Sequence, residues 1–211
     1  MKRARPDGIP KVTGQLSYLT DRTFPNMLYG KILRSEYPHA LIRRISSDKA
    51  KELPGVRAVL THEDVPGVNG FGIIVPDQPV FCSERVLYIG DAIAAVVADT
   101  IAIAEEALQL IEVDFEELPV LDAPEKSLAS EATLLYPEGN VLHRANHKKG
   151  DVSEGFSAST CIIKETYDVP RQMHTYMETE GGVIVPEDDG GITVYMGTQH
   201  GLKIVFSCHE F

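Results

Sequence analysis

No C-x-x-C occurs anywhere in these 211 residues. The cysteines are three, odd in number and far apart at Cys82, Cys161 and Cys208. Zinc and iron–sulfur sites therefore lack their usual ligand spacing. Scattered thiols fit a reducing compartment better than a disulfide scaffold. Positive charge is also scarce: 20 Lys and Arg stand against 31 Asp and Glu, a net charge of −11. The basic clusters, Lys2-Arg3-Arg5 and Arg43-Arg44, are short. A phosphate-binding surface needs clustered cations, so a nucleic-acid partner is not expected. Long apolar runs are missing too. The most apolar stretch, Ala92 to Ala98, is far too short to span a bilayer. The basic N-terminus through Gly8 is followed by no apolar run, so it does not read as a signal peptide. No membrane partner and a cytoplasmic location are the expectation.

Several catalytic signatures are absent as well. There is no G-x-x-x-x-G-K-[ST], no G-x-S-x-G and no H-E-x-x-H. Gly67, Gly70 and Gly72 approach a G-x-G-x-x-G but have the wrong spacing, and no regular helix follows them. His143 and His147 lie four apart, a metal spacing on a helix, but the segment has no helical apolar pattern and reads as solvated loop. His174 and Glu178 share that spacing and read as a polar strand edge or turn. No two carboxylates pair as acid and base. Neither a catalytic nor a metal-ligating residue is assigned.

What is present is an ordinary globular composition, 43% hydrophobic and 24% charged. Met27 to Arg34 roughly alternates and reads as a strand. Asp48 to Leu53 reads as a short helix after Ser46 and Ser47, stopped by Pro54-Gly55. Val56 to Thr61 reads as a buried strand, and Pro66 to Pro79 as an irregular loop. Arg85 to Ile89 and Ala92 to Ala98 read as strands around Gly90-Asp91. The second is apolar on both faces, which suits a covered central position. Thr100 caps a helix to about Leu110, and Val113 to Phe115 returns as a strand. This alternation predicts an α/β or α+β domain over about 10–120. Residues 121–149 have little periodicity and read as a linker. From 150 a second unit is expected, with a strand over Thr160 to Val169 and a hairpin of Gly182 to Val185 and Ile192 to Met196. Gly197-Thr198-Gln199-His200-Gly201 follows that hairpin. It reads first as a turn, though glycine-flanked polar residues at a strand end also let a side-chain amide approach a ligand.

Taken in order, these segments resemble the xanthine dehydrogenase and aldehyde oxidase family. Met27 to Ser35 with Pro38-His39-Ala40 resembles its "LYGKILRS-x-x-PHA" signature. Leu53-Pro54-Gly55-Val56 with Asp64-Val65-Pro66-Gly67 resembles "PGV…DVPG". Tyr88 to Ala94 resembles "YVGDPVA", and Ile111 to Pro119 resembles "I-x-VDYEELP". His174, Met177, Glu178 and Gly197-Thr198-Gln199 resemble "H-x-x-MET" and "STQ". The resemblance implies an α/β-hammerhead domain over 10–120, then a linker, then the strand-rich start of a molybdopterin-binding domain over 150–211.

It also implies a molybdenum–molybdopterin cofactor. The activity is hydroxylation of a carbon beside a ring nitrogen, or of an aldehyde carbon, with oxygen from water. Electrons leave through 2Fe-2S and FAD groups on partner subunits or domains. Gln199 is the one cofactor contact that carries over. The family's G-G-F-G-G-K loop, its later arginine and its glutamate base have no counterpart in these residues. An isolated chain is therefore expected to be inactive, its other partners being the remainder of the large subunit. An assembly module, or a relative of aldehyde oxidase or carbon monoxide dehydrogenase, is the alternative, and a homo-oligomer is compatible with the sequence.

After Lys203 the family continues with Asp-Arg-Phe, whereas this chain reads Ile204 to Phe211. A tail encoded ATC GTT TTC AGT TGT CAC GAA TTT, read from the last base of a preceding AAG, gives Asp-Arg-Phe-Gln-Leu-Ser-Arg-Ile. A frameshift after Lys203 is therefore expected.

Overall fold

The computed structural model describes residues 5–72, 75–176 and 181–197. Its centre is the strand Ala92–Ala98, labelled β5 below. β1 (Tyr29–Arg34) pairs with one edge of it and β3 (Val56–Leu60) with the other, both antiparallel. A strand with a neighbour on each edge and packing on both faces must be apolar throughout. Ile93, Ala94, Val96 and Ala98 are accordingly buried. Full burial of an Ile or Val side chain contributes about 1.5–3 kcal/mol.

One face of this sheet carries two helices, α2 (Asp48–Glu52) and α3 (Ile101–Gln109). Thr100 Oγ1 accepts the Ile103 amide at 3.2 Å and starts α3, as its position before the apolar run predicts. Ala104 and Ala107 turn inward against Ala94, Val96 and Ala98. Small residues on both sides let the helix sit close to the strand. Gly55, at φ +91°, closes the turn after α2. A Cβ there would lie 2.7 Å from Ile103 Cδ1, so both backbone and packing demand glycine.

A second sheet has the order β4–β2–β6, from Arg85–Val86, Ala40–Ser46 and Glu112–Glu117. Its pairings are antiparallel. Between the sheets lie Ala40, Cys82, Val86 and Ile93, with Tyr37 and Phe115 rings 4.8 Å apart beside them. Every strand pairing among the described residues is antiparallel, so the domain is α+β rather than α/β.

The structure departs from the sequence expectations at three places. The residues Arg85 to Ile89 form only a two-residue strand, and it does not pair with β5 as a hairpin. The amides of Leu87 and Tyr88 donate instead to Asp91 Oδ2, at 2.6 and 3.3 Å. β2, which carries a bulge between Ile42 and Arg44, has no counterpart among the elements expected from sequence. Thr160 to Val169 is no strand: among the described residues it finds no pairing partner and lies exposed.

Residues 121–149 contain one short helix, α4 (Pro124–Ser127), and are otherwise irregular. They are tied down by single side chains. Asn140 Nδ2 donates to Ser127 O and Thr133 O, and its Oδ1 accepts the Leu135 amide. Arg85 donates to the carbonyls of Leu134 and Leu135. Two further short helices are α1 (Gly8–Val12) and α5 (Val152–Ala158), the latter capped by Asp151 Oδ1, which accepts the Ser153 and Glu154 amides at 2.8 and 3.1 Å. The chain then reaches a separate hairpin of β7 (Gly182–Pro186) and β8 (Ile192–Met196). No helix among the described residues is long and apolar enough to cross a membrane.

Candidate cofactor site

The hairpin is built by its turn. Gly190 adopts φ +85°, its amide donates to Glu187 O at 3.1 Å, and the Glu187 amide donates to Gly191 O at 2.8 Å. Asp189 Oδ1 accepts the Gly191 amide at 2.9 Å, and Thr193 Oγ1 donates to Glu187 Oε1 at 2.6 Å. This fixes the register, with Val183 opposite Tyr195 and Gly182 opposite Met196.

The far end of β8 opens outward. Gly197 is exposed, and no heavy atom lies within 4 Å of where a Cβ would stand. That open strand end fits the approach of a large group to the residues that follow it. Gln199, Met177 and Glu178, together with the tail from Ile204, lie outside the described residues. His174 is exposed, just before them. Among the described residues no three His, Cys, Asp or Glu converge on a metal-sized space.

Elsewhere the sequence motifs fall as loops. His143 and His147 are exposed on non-helical backbone, so their spacing does not align the rings. The glycine-rich loop at Gly67 to Gly72 is folded on itself and points no helix at a ligand. Asn69 governs it: its Oδ1 accepts the amides of Val80 and Phe81 at 3.0 and 3.1 Å, and its Nδ2 donates to Phe81 O at 2.7 Å. Only the residue type, an Asn amide among glycines and prolines, could have signalled that role.

A cavity of about 580 Å³ lies between the loop, β4 and residues 136–142. Cys82, Arg85, Tyr88, Asp91 and Tyr136 line it. It holds no ready nucleophile. Burial, then the nearby Asp91 carboxylate, push the Cys82 thiol up to about 12. Asp91 is 5% exposed and spends Oδ2 on two backbone amides.

Residues 13–119 match the family described as aldehyde oxidase and xanthine dehydrogenase, a/b hammerhead domain. The chain belongs to the aldehyde oxidase and xanthine dehydrogenase family. Residues 135–208 match the molybdopterin cofactor-binding domain, so molybdopterin is the cofactor of this family. The chain is 63% identical over 201 residues to a probable xanthine dehydrogenase subunit of Bacillus subtilis, covering 95% of this chain and 27% of that protein. It is 35% identical over 199 residues to the nicotinate dehydrogenase large molybdopterin subunit of Eubacterium barkeri, covering 94% of this chain and 47% of that one. Among solved structures, a Cu,Mo-CO dehydrogenase superposes with a TM-score of 0.84 at 31% identity, covering 98% of this chain and 29% of that chain. The chain thus spans between about a quarter and a half of these proteins' length.

Proposed function

We propose that this chain forms the front of the molybdenum-binding subunit of a xanthine dehydrogenase-type hydroxylase. Its substrate is a purine or a related N-heterocycle, and water supplies the oxygen. The observation that carries this is the 63% identity to the Bacillus subtilis protein across 95% of the chain. The nicotinate dehydrogenase relative adds a second nitrogen heterocycle.

The working division is a hammerhead domain over 10–120, a linker over 121–149 and a partial molybdopterin-binding domain over 150–211. Gln199 is the cofactor contact, its amide able both to donate and to accept. The molybdenum cofactor, when bound, supplies the electron acceptor for the hydroxylation. The partners are iron–sulfur and FAD subunits and the rest of the large subunit, in the cytoplasm. Net charge of −11 supports the absence of nucleic acid from that set.

One glutamine cannot by itself enclose the cofactor, so stable binding is expected to draw on further contacts from the large subunit. The test has two arms. The 211-residue chain purified alone is expected to carry no stoichiometric molybdenum by elemental analysis, and finding it would overturn this part. Assembled with the remaining polypeptides, it is expected to drive dye reduction with hypoxanthine or xanthine. Turnover confined to aldehydes or carbon monoxide would replace the purine reading with the one that the CO dehydrogenase likeness favours.

A further inference from the structure

The chain carries 31 acidic residues against 20 basic ones, so a cation in it has carboxylates to pair with. Lys31, Arg43, Lys49, Arg57 and Lys126 each hold one. Arg34 and Arg85 donate to main-chain carbonyls instead. Arg44 and Lys51 do neither: among the described residues their side chains make no ion pair and no hydrogen bond. Arg44 acts on the Glu112 carboxyl through its field alone, since that carboxyl is bonded to Lys49.

Both free cations line one cavity of about 250 Å³, between β2, α2 and the turn Thr61 to Asp64. Arg43 and Arg44 both line it, at the bulge in β2. Two further polar groups there are uncommitted. Ser47 is 9% exposed, and its hydroxyl makes no bond to the helix that it precedes. His62 Nδ1 is buried and has no hydrogen-bond partner among the described residues. A buried polar atom left unsatisfied points to a water or an ion that meets it. The acids at the rim do not neutralise the free cations. Asp64 Oδ2 accepts the Thr61 amide at 2.8 Å and the Thr61 hydroxyl at 3.2 Å, within its own turn. Glu63 is exposed and forms no ion pair with either cation.

We propose that this cavity binds a small oxyanion of the phosphate type, held by Arg44 and Lys51, with the Ser47 hydroxyl and the His62 ring as further hydrogen-bonding groups. The guanidinium offers paired N–H donors and the ammonium a compact charge, a combination that suits tetrahedral oxyanions. The volume lies below the roughly 300–1,000 Å³ of pockets that take drug-sized ligands, so the ligand is phosphate or a small phosphomonoester.

The test titrates the 211-residue chain with inorganic phosphate, and separately with glycerol 3-phosphate, at constant ionic strength. Phosphorus NMR reads the binding, and amide hydrogen exchange of residues 42–64 reads its place. Arg44 and Lys51 are exposed, so Arg44→Gln and Lys51→Gln are expected to keep the melting temperature of the wild type. Each is expected to weaken phosphate about tenfold, the scale of one charge-assisted hydrogen bond. Glu63→Gln removes a rim carboxylate and is expected to tighten binding about threefold. Lys148→Gln makes the same change in net charge at an exposed residue outside the cavity and is expected to bind as wild type. Slower exchange in residues 42–64 with phosphate, lost in the Arg44 and Lys51 variants, supports the site. Tighter binding of glycerol 3-phosphate than of phosphate makes the ligand a monoester, and equal binding makes it the free ion. Exchange unchanged by millimolar phosphate overturns the proposal. Equal weakening by Lys148→Gln overturns it too, since that is a general effect of charge.

Discussion

Asp91 and Cys82 share a wall of the 580 Å³ cavity, and their surroundings make one a fastener and the other inert. Asp91→Ala leaves the Leu87 and Tyr88 amides without their acceptor, and unsatisfied buried donors cost about 1–3 kcal/mol each. Both amides are only part-buried, so a loss of about 1–2 kcal/mol is expected in urea denaturation, and a smaller one for Asp91→Asn, whose amide oxygen still accepts. Cys82 titrates from an ordinary 9.0 up to about 12, because burial disfavours the thiolate. The sign follows from proton linkage. The folded state keeps its thiol proton where the unfolded chain has lost it, so this group's stabilisation is complete below pH 9.0 and drains away between pH 9.0 and about 12. Iodoacetamide at about pH 8 is expected to label exposed Cys161 and to spare buried Cys82 until denaturant is added, as peptide mass spectrometry will show.

Among the elements, those with strong local signals were legible from sequence. β5 appears at its expected bounds, since seven apolar residues between turn signals fit only a covered strand. Thr100 starts α3 as its hydroxyl and position require. Thr100→Ala is expected to cost about 1 kcal/mol in thermal or urea unfolding. Gly55→Ala should cost more, about 1–3 kcal/mol, because it adds a left-handed backbone to a clash with Ile103. β2 carries no readable strand signal, for a physical reason. Its bulge takes Arg43 out of register, so Leu41, Ile42 and Ile45 break the period of two on which strand recognition depends. The segment Thr160 to Val169 misleads in the other direction. It alternates, but alternation makes a strand only where a neighbour accepts its backbone hydrogen bonds.

At the scale of the whole molecule the two ends of the chain differ in kind. The hammerhead half has two cores of buried apolar residues. From residue 142 onward the chain carries large apolar side chains in water, among them Leu142 at 98% and Tyr167 at 87% exposure. Apolar surface on that scale is the mark of an interaction surface. The purified chain is expected to bind a hydrophobic dye and to be cut by protease within residues 142–176, with residues 29–117 surviving as a fragment. Assembly with the rest of the large subunit should suppress both. Protease resistance of the lone chain across residues 142–176 would contradict this.

The sequence alone determined the family resemblance, the mixed helix-and-strand composition of the first half, the central strand and the helix stop at Pro54-Gly55. Each of these is written in local patterns of polarity, turn residues and short ordered motifs. Only the tertiary structure decided the split into two antiparallel sheets, the use of Asp91, Asn69 and Asn140 as fasteners, and the contact of Arg22 and Phe24 with Tyr195. Those features depend on a bulge, on loop geometry or on residues brought together from distant parts of the chain, and no local period encodes them. The chemistry attached to Gln199 rests on motif, while the gathering of Arg44, Lys51 and His62 around one cavity emerged only from the fold.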